Sequence, residues 1–97
     1  DTALGWYATA PERERDFARR YLGVDGDGIA WGMLRAVHAS VADRVVVPVQ
    51  DALELGPEAR MNLPGRPQGN WGWRLREGQL TDALRDRLRG LTETFGR

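Results

Sequence analysis

The 97-residue sequence contains no cysteine and no lysine. Without thiols, disulfides, thiolate metal sites and cysteine nucleophiles are excluded, although this does not by itself separate the cytosol from an exported compartment. All fourteen cationic side chains are arginine. That choice reads first as genome composition and second as a use of the planar guanidinium fork. Fourteen acidic residues balance them, so no field of one sign points to nucleic acid, an anionic membrane or a highly charged substrate. No apolar run approaches the roughly 20 residues that span a bilayer. The opening DTALGWYATA lacks the charged start and apolar centre of a signal peptide. A cytoplasmic protein without nucleic-acid or membrane partners is expected. Also missing are a Ser/His/Asp set, a phosphate-binding glycine loop and a metal constellation. The single histidine, His38, has no second ligand near it in sequence. The string VDGDG resembles part of a calcium loop but lacks the further oxygen ligands and the glutamate at the twelfth position.

What is present suits one small unit with a modest core. Thr9 and Glu12 have capping-box spacing and Pro11 falls where a helix tolerates proline, which predicts a helix bearing Phe17, Tyr21 and Leu22 and ending at Gly23. Asp27 offers a cap for a second helix, in which Ala30, Leu34, Val37 and Val41 share a face widened by Met33. Arg44 to Val49 reads RVVVPV, a β-branched run without alternation that predicts a strand buried on both faces, with Pro48 near its end. Short helical turns are expected over 50–55 and 57–61. Thr81 caps a last helix with Leu84, Leu88, Leu91 and Phe95 on one face, closed by Gly96. The order is helix, helix, strand, long loop, helix, without repeats or low-complexity tracts.

A lone strand of the buried type needs partners on both edges, and this sequence offers none. The simplest repair makes these residues the tail of a larger βα protein whose other strands lie upstream, and a first residue of Asp rather than Met fits a processed protein or part of a longer one. In parallel sheets the loops that follow strands carry the chemistry. Here that loop is ARMNLPGRPQGNWGWR, residues 59–74. If its backbone is extended, Trp71 and Trp73 place both indoles on one side, forming a platform for sugar rings. The plainer alternative is that one or both plug a core, as Trp6 and Trp31 are expected to do. Arg60, Asn62, Arg66, Gln68 and Asn70 add polar groups suited to a neutral, hydroxyl-rich ligand, or else satisfy an irregular backbone. Arg13, Arg15, Arg19 and Arg20, interleaved with Glu12, Glu14 and Asp16, form a solvated helix face.

The loop motif, preceded by VVPVQDALELG and by DTALGWY, resembles the C-terminal part of the 4-α-glucanotransferases, the amylomaltases or disproportionating enzymes. The likeness extends over the whole chain. It implies an α/β fold, the C-terminal portion of a (β/α)8 TIM barrel, mostly helical here with one parallel-type strand. Arg44 to Val49 would be the eighth barrel strand, with Gln50 and Asp51 at its catalytic end. The implied activity passes a glycosyl unit from one maltooligosaccharide to another by a retaining double displacement, with no metal or organic cofactor. Retention places the nucleophile and acid/base carboxyls about 5–5.5 Å apart. By resemblance both lie upstream of this chain, and Asp1 would neighbour a third, stabilising aspartate, so no catalytic residue is expected here. The resemblance implies Asn62 as a sugar-binding residue, with Arg60, Asn70 and Trp71 in that role or shaping the loop. Expected partners are an α-1,4-glucan and either a missing N-terminal barrel portion or a second copy. The alternative is a self-associating helical assembly module without catalysis.

Overall fold

The computed structural model describes residues 2–97, and the expectation about Asp1 falls outside them. The first helix, α1 (Ala3–Thr9), opens at Thr2, whose hydroxyl accepts the Gly5 amide at 3.0 Å. Thr9, expected to start a helix, instead ends this one and turns its hydroxyl back onto the Gly5 carbonyl at 3.3 Å. Pro11 explains the displacement, because the residue before a proline is driven out of the helical region. Ala10 is extended at φ −67°, ψ 147°, which separates α1 from α2 (Glu12–Leu22).

Glu12 and Glu14 lie in the first turn of α2, and Arg19 and Arg20 in its last, an order that complements the helix dipole. Glu12 pairs with Arg15 at 3.0 Å and Asp16 with Arg20 at 2.6 Å. Gly23 ends the helix at φ 68°, in the left-handed region that favours glycine. The expected apolar stripe is not a core contact: Phe17 and Tyr21 are 69% and 76% exposed and stack on each other, while Ala18 is buried.

Asp25, not Asp27, does the capping in VDGDG. Its carboxylate accepts the amides of Asp27 at 3.0 Å and Gly28 at 3.1 Å, winding a 3-10 turn into α3 (Ile29–His38). This central helix touches α1, α2 and the two helices that follow. Ile29, Ala30, Leu34 and His38 are its buried residues. Val37 is half-exposed, and Val41 lies past the helix, in solvent.

The expected strand at 44–49 is absent: among the described residues there is no strand. The reason is the one that made a lone strand a problem, since a ladder needs a second segment and no described segment lies alongside. Val46 is 93% exposed. Pro48, itself extended, leads into α4 (Val49–Ala52), followed by a 3-10 turn at Pro57–Ala59. The last helix, α5 (Asp82–Thr94), starts as expected, with the Thr81 hydroxyl accepting the Leu84 amide at 3.1 Å.

α5 docks on α3 through stacked cations more than through buried apolar bulk. The Arg87 guanidinium lies 3.8 Å from the Trp31 ring centroid and Arg35 lies 4.9 Å from that of Phe95. Arg97 then donates to the carbonyls of His38 at 2.8 Å, Ser40 at 3.1 Å and Ala42 at 2.7 Å. His38 turns its own Nδ1 to the Leu34 carbonyl at 2.7 Å. No helix of the described residues is long and apolar enough to cross a membrane.

The buried apolar set is small: Ala18, Ile29, Ala30, Leu34, Ala52 and Ala59, with Ile29 the large side chain fully enclosed. A radius of gyration of 14.4 Å exceeds the roughly 12.5 Å expected of a self-contained chain this long. Ile29→Ala should therefore cost about 2–5 kcal/mol in urea unfolding. Gly23→Ala, where an added Cβ meets nothing within 4 Å, should cost only the backbone penalty of about 1–2 kcal/mol. Equal losses in the two variants would contradict this picture of the core.

Candidate functional site

Segments from three other parts of the chain, two of them distant in sequence, meet around α4. Asp51 Oδ1 accepts the Ala3 amide at 2.8 Å, tying α4 to the start of α1. Gln50, buried, donates from Nε2 to the Ala59 carbonyl at 3.3 Å. Trp31 Nε1 donates to the Ala52 carbonyl at 3.2 Å, fixing the same helix to α3. Close approach supports these bonds: a Cβ added at Gly5 would stand 2.7 Å from Thr2 Oγ1 and 3.4 Å from Pro57. Residues 2–7, the PVQD string and the ARMN string thus form one junction.

The loop leaves that junction at Arg60 and closes on itself. The Trp71 amide donates to the Met61 carbonyl. Inside the loop, Asn70 accepts the Leu63 amide on Oδ1 at 2.8 Å and donates from Nδ2 to the Arg66 carbonyl at 2.8 Å. Gly65 and Gly69 turn at φ 85° and 81°, values that a residue with a Cβ rarely adopts. The outcome is a compact surface loop whose ends touch, a form often found at functional sites. Arg60 and Asn62 sit at its root, both half-buried, with Arg60 Nε donating to the Asn62 carbonyl at 3.1 Å. The structure therefore places Arg60, Asn62, Asn70 and Trp71 in one closed loop. Asn70 spends both ends of its amide on that loop's backbone, which makes it a shaping residue.

The two-tryptophan platform does not form on the expected ground. Trp71 has φ 61°, so the backbone is not extended through it and the two-residue spacing no longer sets both rings on one side. Trp71 is 64% exposed, whereas Trp73 is half-buried. Arg74 holds the turn by donating to the carbonyls of both, each at 2.9 Å. Of the other tryptophans, Trp31 is half-buried beneath the Arg87 guanidinium, outside the buried core, and Trp6, 40% exposed, borders an open groove of about 400 Å³ with Arg13, Glu14, Phe17 and Ala18.

The junction residues Gln50 and Asp51 were not singled out by residue chemistry in the sequence. The available signal was an amide and a carboxylate placed straight after an apolar run, where a buried backbone needs partners. Among the described residues no three His, Asp or Glu side chains gather as a metal would require. Away from the loop, Arg19 is held above its ordinary pKa, first by its bond to Glu12 and then by its bond to the Tyr7 hydroxyl. The guanidinium was charged throughout in any case, so this cluster braces α1 against α2 and does no proton chemistry. The loop carries amide and guanidinium groups and offers no paired carboxylates for acid/base work.

A sequence profile described as 4-alpha-glucanotransferase matches residues 1–81. The chain belongs to the 4-alpha-glucanotransferase family. It is 47% identical to the 4-alpha-glucanotransferase of Thermus thermophilus over 103 aligned positions, covering 100% of this chain and 21% of that protein. The Synechocystis enzyme of the same name is 44% identical, with 100% of this chain and 19% of the relative covered. Among solved structures, amylomaltase from Streptococcus agalactiae in complex with acarbose superposes with a TM-score of 0.92 at 28% identity, over 99% of this chain and 20% of that one. The chain thus spans about a fifth of the length of these 4-alpha-glucanotransferase relatives. Its mostly helical backbone is similar to a part of that amylomaltase.

If Asn70 shapes the loop, Asn70→Ala should remove the hydrogen-exchange protection of the Leu63 amide by about tenfold, a typical net hydrogen bond. Asn70→Asp keeps the acceptor and should retain most of that protection. Equal protection at Leu63 in the wild type and Asn70→Ala would show that the side chain does not hold the loop.

Proposed function

We propose that this chain is the C-terminal part of a 4-α-glucanotransferase catalytic barrel, of the (β/α)8 class, and forms one wall of its glucan cleft. The parent enzyme moves α-1,4-glucan segments between maltooligosaccharides by a retaining double displacement, and the catalytic carboxylates belong to other parts of it. The observation that carries this reading is the closed loop hung from the α4 junction, with Asn62 and Arg60 at its root and Trp71 exposed at its closure. Amide and guanidinium groups donate to sugar hydroxyls and an exposed indole covers a ring face. Asn62 and Arg60 are the sugar-contacting residues in this reading, Trp71 a stacking surface and Asn70 the brace. Family membership and the superposition on an amylomaltase solved with acarbose support it. A cytoplasmic setting goes with it, although plant relatives carry chloroplastic or amyloplastic in their names.

A second reading rests on residues 44–47, a β-branched run that forms no strand among the described residues. Alone, the chain would cover residues 44–47 by pairing with another copy, as a self-associating module. Size-exclusion chromatography of the 97-residue chain separates the readings, since a stable dimer that binds no maltooligosaccharide favours the module.

The 97-residue chain incubated with maltotriose should produce neither glucose nor longer oligosaccharides, whereas the full-length enzyme should produce both. In that enzyme Asn62→Ala should raise KM for maltotriose about 3–10-fold, the range for losing one or two ordinary hydrogen bonds. Disproportionation by the chain alone, or an unchanged KM in Asn62→Ala, would refute the cleft-wall assignment.

A further inference from the structure

We propose that Gln50 is a positioning residue for the glucan-contacting loop, acting through a single peptide plane; this rests on the cleft-wall reading above. The plane is the one joining Ala59 to Arg60, and it is held on both edges. Gln50 Nε2 donates to its carbonyl oxygen at 3.3 Å, and its amide, that of Arg60, donates to the Pro57 carbonyl at 3.2 Å. A peptide unit gripped on both edges cannot rotate about its flanking bonds without breaking one grip, so the direction in which Arg60 leaves the junction is fixed. Arg60 then fixes Asn62, because its Nε reaches the Asn62 carbonyl at 3.1 Å.

Gln50 can do this only if its own helix is immobile, and α4 is too short to be rigid by itself. Its immobility is borrowed. The Asp51 carboxylate holds the Ala3 amide, the Ala52 carbonyl is held by the Trp31 indole, and the Leu55 amide closes the turn on the Gln50 carbonyl at 2.9 Å. Gln50 and Ala59 are buried, the latter completely, so a lost donor leaves the Ala59 carbonyl without water to replace it. The chain of contacts runs from α1 and α3 through α4 and Gln50 to the Ala59–Arg60 plane, and from there to Asn62. No step needs Gln50 to touch the glucan.

The test uses the full-length enzyme that contains this chain, with maltotriose as substrate, comparing Gln50→Met, Asn62→Ala and the double variant. Methionine fills the same space without a donor. Gln50→Met is expected to raise KM about 3–10-fold with kcat within about twofold. The double variant is expected to raise KM beyond Asn62→Ala alone but by less than the product of the two single effects, because the Gln50 lesion acts partly through Asn62 and partly through Arg60. A residue with only a structural role would reduce the active fraction, and so kcat per total protein, without moving KM. If Gln50→Met does not fold, Gln50→Asn, one methylene shorter and out of reach of the carbonyl, is held to the same criteria. A wild-type KM in the Gln50 variant beside a raised KM in Asn62→Ala overturns the positioning role while leaving the cleft wall standing. Effects that multiply in the double variant overturn it equally. An Asn62→Ala enzyme with wild-type kinetics identifies the cleft-wall reading as the fault, and the positioning role falls with it.

Discussion

The backbone of residues 44–47 governs the rest of the arrangement. Among the described residues nothing pairs with its amides and carbonyls, and three consecutive valines occupy a run in which Val46 is almost wholly exposed. Exposed as the segment is, those groups are left to solvent, and a β-branched run with no second segment beside it forms no ladder. The core is thin, gathered around Ile29, Leu34 and a handful of alanines, and an open groove lies beside Trp6 and Phe17. The other helices all contact α3.

Against such a core, precision at the loop comes from polar contacts of long sequence separation. Asp51 spans 48 positions to reach Ala3, and Arg97 spans 59 to reach His38. Each is a modest contribution to stability by itself. Their geometric effect is larger, because each ties a segment with few apolar contacts to one already held. Loop 61–71 repeats the scheme on a smaller scale: no buried apolar side chain fills it, and one asparagine amide spanning two backbone groups gives it shape.

Helix ends were legible in the sequence where one residue had one role to fill, as at the Thr81 hydroxyl cap and at the left-handed glycines that follow α2 and α5. They were misread where two assignments competed. Thr9 and Glu12 have the right spacing, yet Thr2 had already started a helix that ran into Pro11. Asp25 outcompeted Asp27 because it precedes the turn whose amides need an acceptor. The strand was read from composition alone, and composition cannot supply a neighbour. At the candidate site the residue types and the segment were legible, and the resemblance ranked Asn62 first. Two features were not: the left-handed backbone at Trp71, which no local pattern announces for a tryptophan, and the use of Gln50, whose partner lies nine positions away across a turn.

The three carbonyls that receive Arg97 belong to the stretch where α3 gives way to the extended segment. A guanidinium stays cationic across any biologically relevant acidity, and carbonyl oxygens have no proton to exchange there. This clasp therefore ignores pH, unlike one built on histidine or a carboxylate. Acidification leaves these three bonds as they stand, so Arg97 keeps the end of α5 on the carbonyls of residues 38–42.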